Sequence, residues 1–244
     1  MSVTAEAPAV AAAPRQGAAN PALPAYLAFP GGNLGVRISE FNRFPTRYAH
    51  PSWWPAGWGW DWKGKFPETS RAETRLGESL LRHWDFPAAP CFSFDPPARR
   101  LALLDPVPLN RLVLLAGLAR HADEISRILV RNDVKELRRQ VGEDAYKFVI
   151  FKAPLLTGPL GAGDGAPPVP DWTARALFSG LSMLTTVLGQ DALDIRGRVG
   201  LKFSRAVIGA WDGRRCPEPV ESIFRLFRKV LLQEVDPAWD AIFS

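Results

Sequence analysis

The residues able to carry chemistry in this 244-residue sequence are three histidines, two cysteines and one glycine-rich run, and their spacing argues against a reaction. His50, His83 and His121 lie far apart. In His83-Trp84-Asp85 the imidazole and carboxylate sit two positions apart, which a helix turns to different faces, so no general-base dyad follows. Cys91 and Cys216 are 125 positions apart with no CxxC spacing and no histidine in a ligand pattern, which gives neither a disulfide framework nor a zinc site. GAGDG at 161–165 follows no alternating strand run and lacks the GK[ST] element of a phosphate loop. Nucleophile elbows, HExxH and carboxylate pairs in contrasting settings are also missing. The sequence predicts no catalytic, metal-binding or cofactor-binding residue.

Binding is the better-supported chemistry. The formal charge of +5 is modest, and residues 98–156 hold most of it, with 11 basic against 7 acidic side chains. Within that segment Arg127, Arg131, Lys135, Arg138 and Arg139 recur at helical spacing and can line one stripe, a docking surface for an acidic partner. Asp123, Glu124, Asp133 and Glu136 are interspersed and can pair with them, which would make the same run a solvated helix face.

PSWWPAGWGWDWKGKF at 51–66 is the second binding signal, with five of the nine tryptophans: Trp53, Trp54, Trp58, Trp60 and Trp62. Five exposed indoles would form an apolar patch on the order of 1,000 Å², far above what a soluble monomer usually shows, so some must be covered. An extended backbone over 58–62 would put Trp58, Trp60 and Trp62 on one face. Three uses fit: a clip on the protein's own helices, a contact with a partner protein, or a stacking platform for bases or sugars. Cations to track phosphates are few, since only Lys63 and Lys65 follow and Asp61 intervenes.

The elements that must position these residues are helices. Ser70-Arg71-Ala72-Glu73 has capping-box form, and Ala72, Leu76, Leu80 and Trp84 then line a helix that Phe86-Pro87 ends. Pro108 opens an almost wholly apolar, central helix. Asn132 or Asp133 caps a helix that Gly142 closes; Glu143 and Asp144 open another, with Phe148, Val149 and Phe151 as its buried positions. Asp171 caps a long one ending at Gly189, and Val220, Ile223, Phe224, Phe227 and Leu231 mark the last. RVGLKFS at 198–204 fits a short β element or a helix equally. Residues 1–25, nearly all Ala, Pro and small polar types, read as a disordered leader without a secretion signal, and 157–170 as a flexible loop. The expected fold is mainly α: one irregular helical domain over 26–244 with an aromatic, Gly/Pro-rich N-terminal arm. No apolar run is long enough to span a bilayer, and the unpaired cysteines suit a reduced, cytoplasmic setting.

FNRFPTRYAHPSWW at 41–54, PLNRLVLLAGLARHADEI at 108–125 and EDAYKFVIFKAPLL at 143–156 together resemble the SctK family, the YscK/PscK group of type III secretion sorting-platform proteins. The resemblance implies a non-enzymatic adaptor at the cytoplasmic face of the bacterial inner membrane. It would link the cytoplasmic domain of the ring protein SctD to the pod protein SctQ, and through SctQ reach SctL and the ATPase SctN. The rival reading from the residues alone is a nucleic-acid-binding module built on the tryptophan arm and the basic stripe.

Overall fold

A computed structural model of the chain describes residues 33–58, 71–157, 171–190 and 192–243. The leader, Trp60, Trp62, Ser70 of the capping box and nearly all of the 157–170 loop lie outside these. The first group of elements is α1 (Asn33–Arg43), α2 (Pro45–Tyr48), a 3₁₀ turn at Pro51–Trp53, α3 (Arg71–His83) and a 3₁₀ helix at Pro97–Leu103. The central group is α4 (Pro106–Arg120), α5 (Ala122–Ser126), α6 (Arg131–Val141), α7 (Glu143–Phe151), α8 (Ala153–Thr157) and α9 (Trp172–Leu188). The chain continues through α10 (Leu193–Gly200), α11 (Arg205–Ala210), α12 (Val220–Val230), a π turn at Leu231–Val235, a 3₁₀ turn at Pro237–Trp239 and α13 (Asp240–Phe243). The fold is mainly α in one domain, with no strand among the described residues.

The core is organised around α4 and α9. From Leu115 to Arg120 every side chain of α4 is buried, as expected of a helix with so few polar interruptions. The two axes come into direct backbone contact because each helix offers a glycine to the other. A Cβ on Gly117 would stand 1.8 Å from the Ala176 carbonyl oxygen, and one on Gly180 would stand 2.1 Å from that of Val113. Gly142 and Gly189 end α6 and α9 at φ near +90°, a conformation that side chains with a Cβ rarely adopt. Asp171 caps α9 as expected, accepting from the Thr173 amide at 2.8 Å.

Several local expectations shift. Phe151, expected to be buried with Phe148 and Val149, is the last residue of α7 and is exposed. α6 starts at Arg131, so Asn132 and Asp133 sit inside its first turn; Val130, at the cap position, makes no side-chain cap bond. On α3 the buried positions are Glu73, Gly77, Leu80 and Leu81, because the neighbour is α2: Glu73 takes a two-pronged ion pair from Arg47 (2.8 and 2.9 Å), and Gly77 meets the Pro45 ring. The 198–204 run is no strand. It holds the end of α10, a turn through Leu201–Phe203, and Ser204, whose hydroxyl caps α11 by accepting from the Val207 amide.

Two cations inside this core, Arg198 and Lys202, are met by carbonyls. Arg198 is fully buried and donates to the Pro87, Ala88 and Ala89 carbonyls, tying α10 to the segment after α3. Lys202 donates to the Ala102 and Leu104 carbonyls that end the 97–103 helix, with its ammonium over the Phe41 and Tyr48 rings. Both cysteines are buried free thiols.

Candidate partner-docking surfaces

The aromatic arm folds back on the core at Trp53. Its ring is buried, and its indole N–H donates to the Phe203 carbonyl at 2.8 Å. The Trp84 indole in turn donates to the Trp53 carbonyl at 2.7 Å, with the two rings edge to face at 5.3 Å. The backbone is pinned on either side: the His50 amide donates to the Leu201 carbonyl, and the Arg205 amide donates to the Ser52 hydroxyl. Trp53 is therefore a packing residue of the fold. Trp54 and Trp58 are half-buried, 6.2 Å apart, with Trp58 leaning on exposed His83. Those two are the solvent-reaching indoles of the arm among the described residues.

The five basic positions do not form one helical stripe. Arg127 caps the C-terminus of α5, residues 128–130 are irregular, and Arg131 opens α6. Within α6, Arg131, Lys135 and Arg138 fall within roughly 60° of one another, about a quarter turn from the side buried through Leu137 and Val141, with Arg139 at the edge. Of the interspersed acids, Glu124 serves a partner outside the run and Glu136 one within it. Glu124 takes both guanidinium nitrogens of Arg175 on α9 at 2.6 Å. Glu136 takes Arg139 in the same two-pronged way, and the Arg139 and then the Gln140 hydrogen bonds hold its carboxyl down at about 2. Arg138 stacks over Tyr146 at 4.4 Å, with Glu143 3.8 Å away. Arg127, Arg131 and Lys135 are exposed and make no ion pair among the described residues.

Sequence reading missed the apolar half of this surface. Leu129 is 86% exposed and Val130 60%, at the break between α5 and α6 and flanked by Arg127 and Arg131. Leu129 continues the apolar spacing of Ile125 and Ile128, but the helix ends first, so Ile125 is buried and Leu129 is turned outward.

The arrangement nearest to a catalytic site is also one that sequence spacing concealed. His121 Nε2 is 2.8 Å from the Ser179 hydroxyl, with the Glu124 carboxylate 3.8 Å from Nδ1, a serine–histidine–acid order. Ser179 is 3% and His121 2% exposed, so no substrate reaches the hydroxyl, and the bond acts as a cross-link between the end of α4 and α9. The other histidines stay apart: His50 accepts from the Ser52 amide, and His83 lies among Trp58 and Trp84. Burial raises both thiols, Cys91 to about 11, which makes them poor nucleophiles. Among the described residues no cluster of His, Cys, Asp and Glu could hold a metal ion, and no helix is long and apolar enough to cross a membrane. GAGDG lies outside the described residues.

Neither the curated proteins nor the solved structures include a significant match to the chain. A family model does match, described as YOP proteins translocation protein K (YscK), over residues 36–239, from the second turn of α1 to the last 3₁₀ turn. That span takes in the helical core, the arm and the basic face together, and the chain belongs to the YscK family of type III secretion proteins.

Proposed function

We propose that the chain is a non-enzymatic adaptor of the sorting platform, on the cytoplasmic side of a type III secretion apparatus. It holds the cytoplasmic domain of the inner-membrane ring protein SctD on one face and the pod protein SctQ on another; SctL and the ATPase SctN are reached through SctQ. The family supports the setting. The observation that carries the docking role is the α5–α6 junction, where Arg127, Arg131 and Lys135 make no ion pair among the described residues and accompany exposed Leu129 and Val130. A bare cation run would be a solvated face, but cations rimming outward apolar side chains have the composition of an interface. Trp54 and Trp58 are candidate contacts on the second face.

The test reverses the three cations together: Arg127→Glu, Arg131→Glu, Lys135→Glu. All are exposed, so the fold is retained. Calorimetric affinity for the SctD cytoplasmic domain should fall by about tenfold or more at about 50 mM salt, and the loss should shrink at about 500 mM. Unchanged affinity at low salt would remove this face from the account.

A further inference from the structure

A second built surface lies at the far end of α9. The last two turns of α9 pack Leu181, Leu184 and Leu188, each at most 2% exposed, beneath an open cleft of about 450 Å³ that Phe86, Ile208 and Trp211 also line. That volume falls within the range of about 300–1,000 Å³ typical of clefts that receive an apolar body. The apolar lining continues outward onto the rim at Leu193, which is 64% exposed, so an occupant must cover the rim as well as fill the floor. That requirement suits a protein segment better than an enclosed small molecule.

The charge at the rim narrows the occupant. Arg196 lines the cleft, its Nε is enclosed without an acceptor, and it makes no ion pair among the described residues. Arg215 stands close enough to act on it electrostatically. Asp85 is the single carboxylate among the lining residues, and it does not pair with Arg196. In a symmetric dimer the patch would pair with itself, and it offers one carboxylate, Asp85, against two neighbouring cations, which disfavours a second copy of the chain. Residues 1–32 carry Glu6 as their only acid, which disfavours the chain's own leader.

We infer that this cleft docks an amphipathic segment of a partner protein, with apolar side chains seated among Phe86, Leu193, Ile208 and Trp211 over the buried leucines of α9 and an acidic side chain meeting Arg196. The inference rests on the adaptor reading and names where its second partner seats. Gln140 of α6 bonds the first turn of α9, through the Trp172 amide and the Thr173 hydroxyl, while the cleft uses the last turns. The point where α6 is tied to α9 and the cleft are thus roughly 17 Å apart along one rigid helix. Two partners can then be held at once.

The experiment titrates the full chain with purified SctQ and, separately, with the SctD cytoplasmic domain, comparing wild type with Leu193→Glu and Arg196→Glu. Leu193 is exposed, so L193E leaves the melting temperature unchanged, and R196E provides an independent second variant. Each should weaken SctQ binding at least tenfold and leave SctD binding within twofold. SctQ affinities within twofold of wild type for both variants overturn the cleft while leaving the adaptor reading standing. Wild type binding neither protein overturns the adaptor reading and the cleft with it. A concentration-dependent dimer that L193E abolishes assigns the cleft to self-association and also overturns the proposal.

Discussion

At the scale of single residues, Lys202 is the group whose setting has the clearest solution consequence. Burial pulls its ammonium down to about 7, while the Asp105 carboxylate works in the opposite direction and Arg37 adds to the depression. An unfolded lysine titrates near 10.4. Between these values the unfolded chain holds the extra proton, so stability rises with pH from about 7, by up to ~1.4 kcal/mol per pH unit for one proton. Cys91, raised to about 11, opposes this above about pH 8.5, because there the folded state keeps a proton that the unfolded thiol has lost. The window of interest is therefore pH 7 to about 8.5. Urea midpoints should climb across it in the wild type, and Lys202→Met should flatten the climb. A wild-type profile that is level or descending there would refute the assignment. Nothing in KFS at 202–204 announces this lysine as buried. Its burial depends on two carbonyls freed where the 97–103 helix ends, about 100 residues away in sequence.

At the scale of elements, the contact between α4 and α9 makes the same substitution act with opposite signs at different sites. Gly180→Ala would drive a methyl into the Val113 carbonyl, which belongs to a helix backbone and cannot swing aside. A loss of about 2–3 kcal/mol is expected, a fall in melting temperature of roughly 5–10 °C. Gly209 lies in α11 with open space around its would-be Cβ, so Gly209→Ala should stabilise by about 0.5–1 kcal/mol. Calorimetric melting of the two variants checks both signs; a harmless Gly180→Ala would mean that the helices do not meet as closely as described. The helical nature of α4 and α9 was legible from apolar spacing, Asp171 and Gly189. Their fit was not, since a glycine in LLAGLAR reads only as a weak helix former until the facing carbonyl is known. α3 shows the same limit: its period was legible, but which side faced inward was decided by Arg47 and Pro45 of α2.

At the scale of the whole molecule, sequence reading located the cationic surplus and the aromatic arm but could not apportion them between interior and surface. Trp53 went inside because its indole found the Phe203 carbonyl, 150 positions on. Of the acids expected to neutralise the basic run, Glu124 is drawn to Arg175 and Glu136 takes Arg139 at the edge of the run, which leaves Arg127, Arg131 and Lys135 without an ion pair among the described residues. The apolar cleft had no local signature, since its walls come from α9, α10, α11 and the turn after α3.

Finally, Cys91 and Cys216 are each locked in place, one donating its amide to the Asn42 side chain and the other receiving the Arg120 guanidinium at its sulfur. The native chain should then ignore maleimide at neutral pH and take up two equivalents once urea has opened it. Alkylation timed against denaturant becomes a clock for global opening. The same silence makes the wild type a ready background for single-cysteine handles at exposed positions outside both contacts, such as Lys147 and Glu221, where an attached probe reports partner arrival without disturbing it.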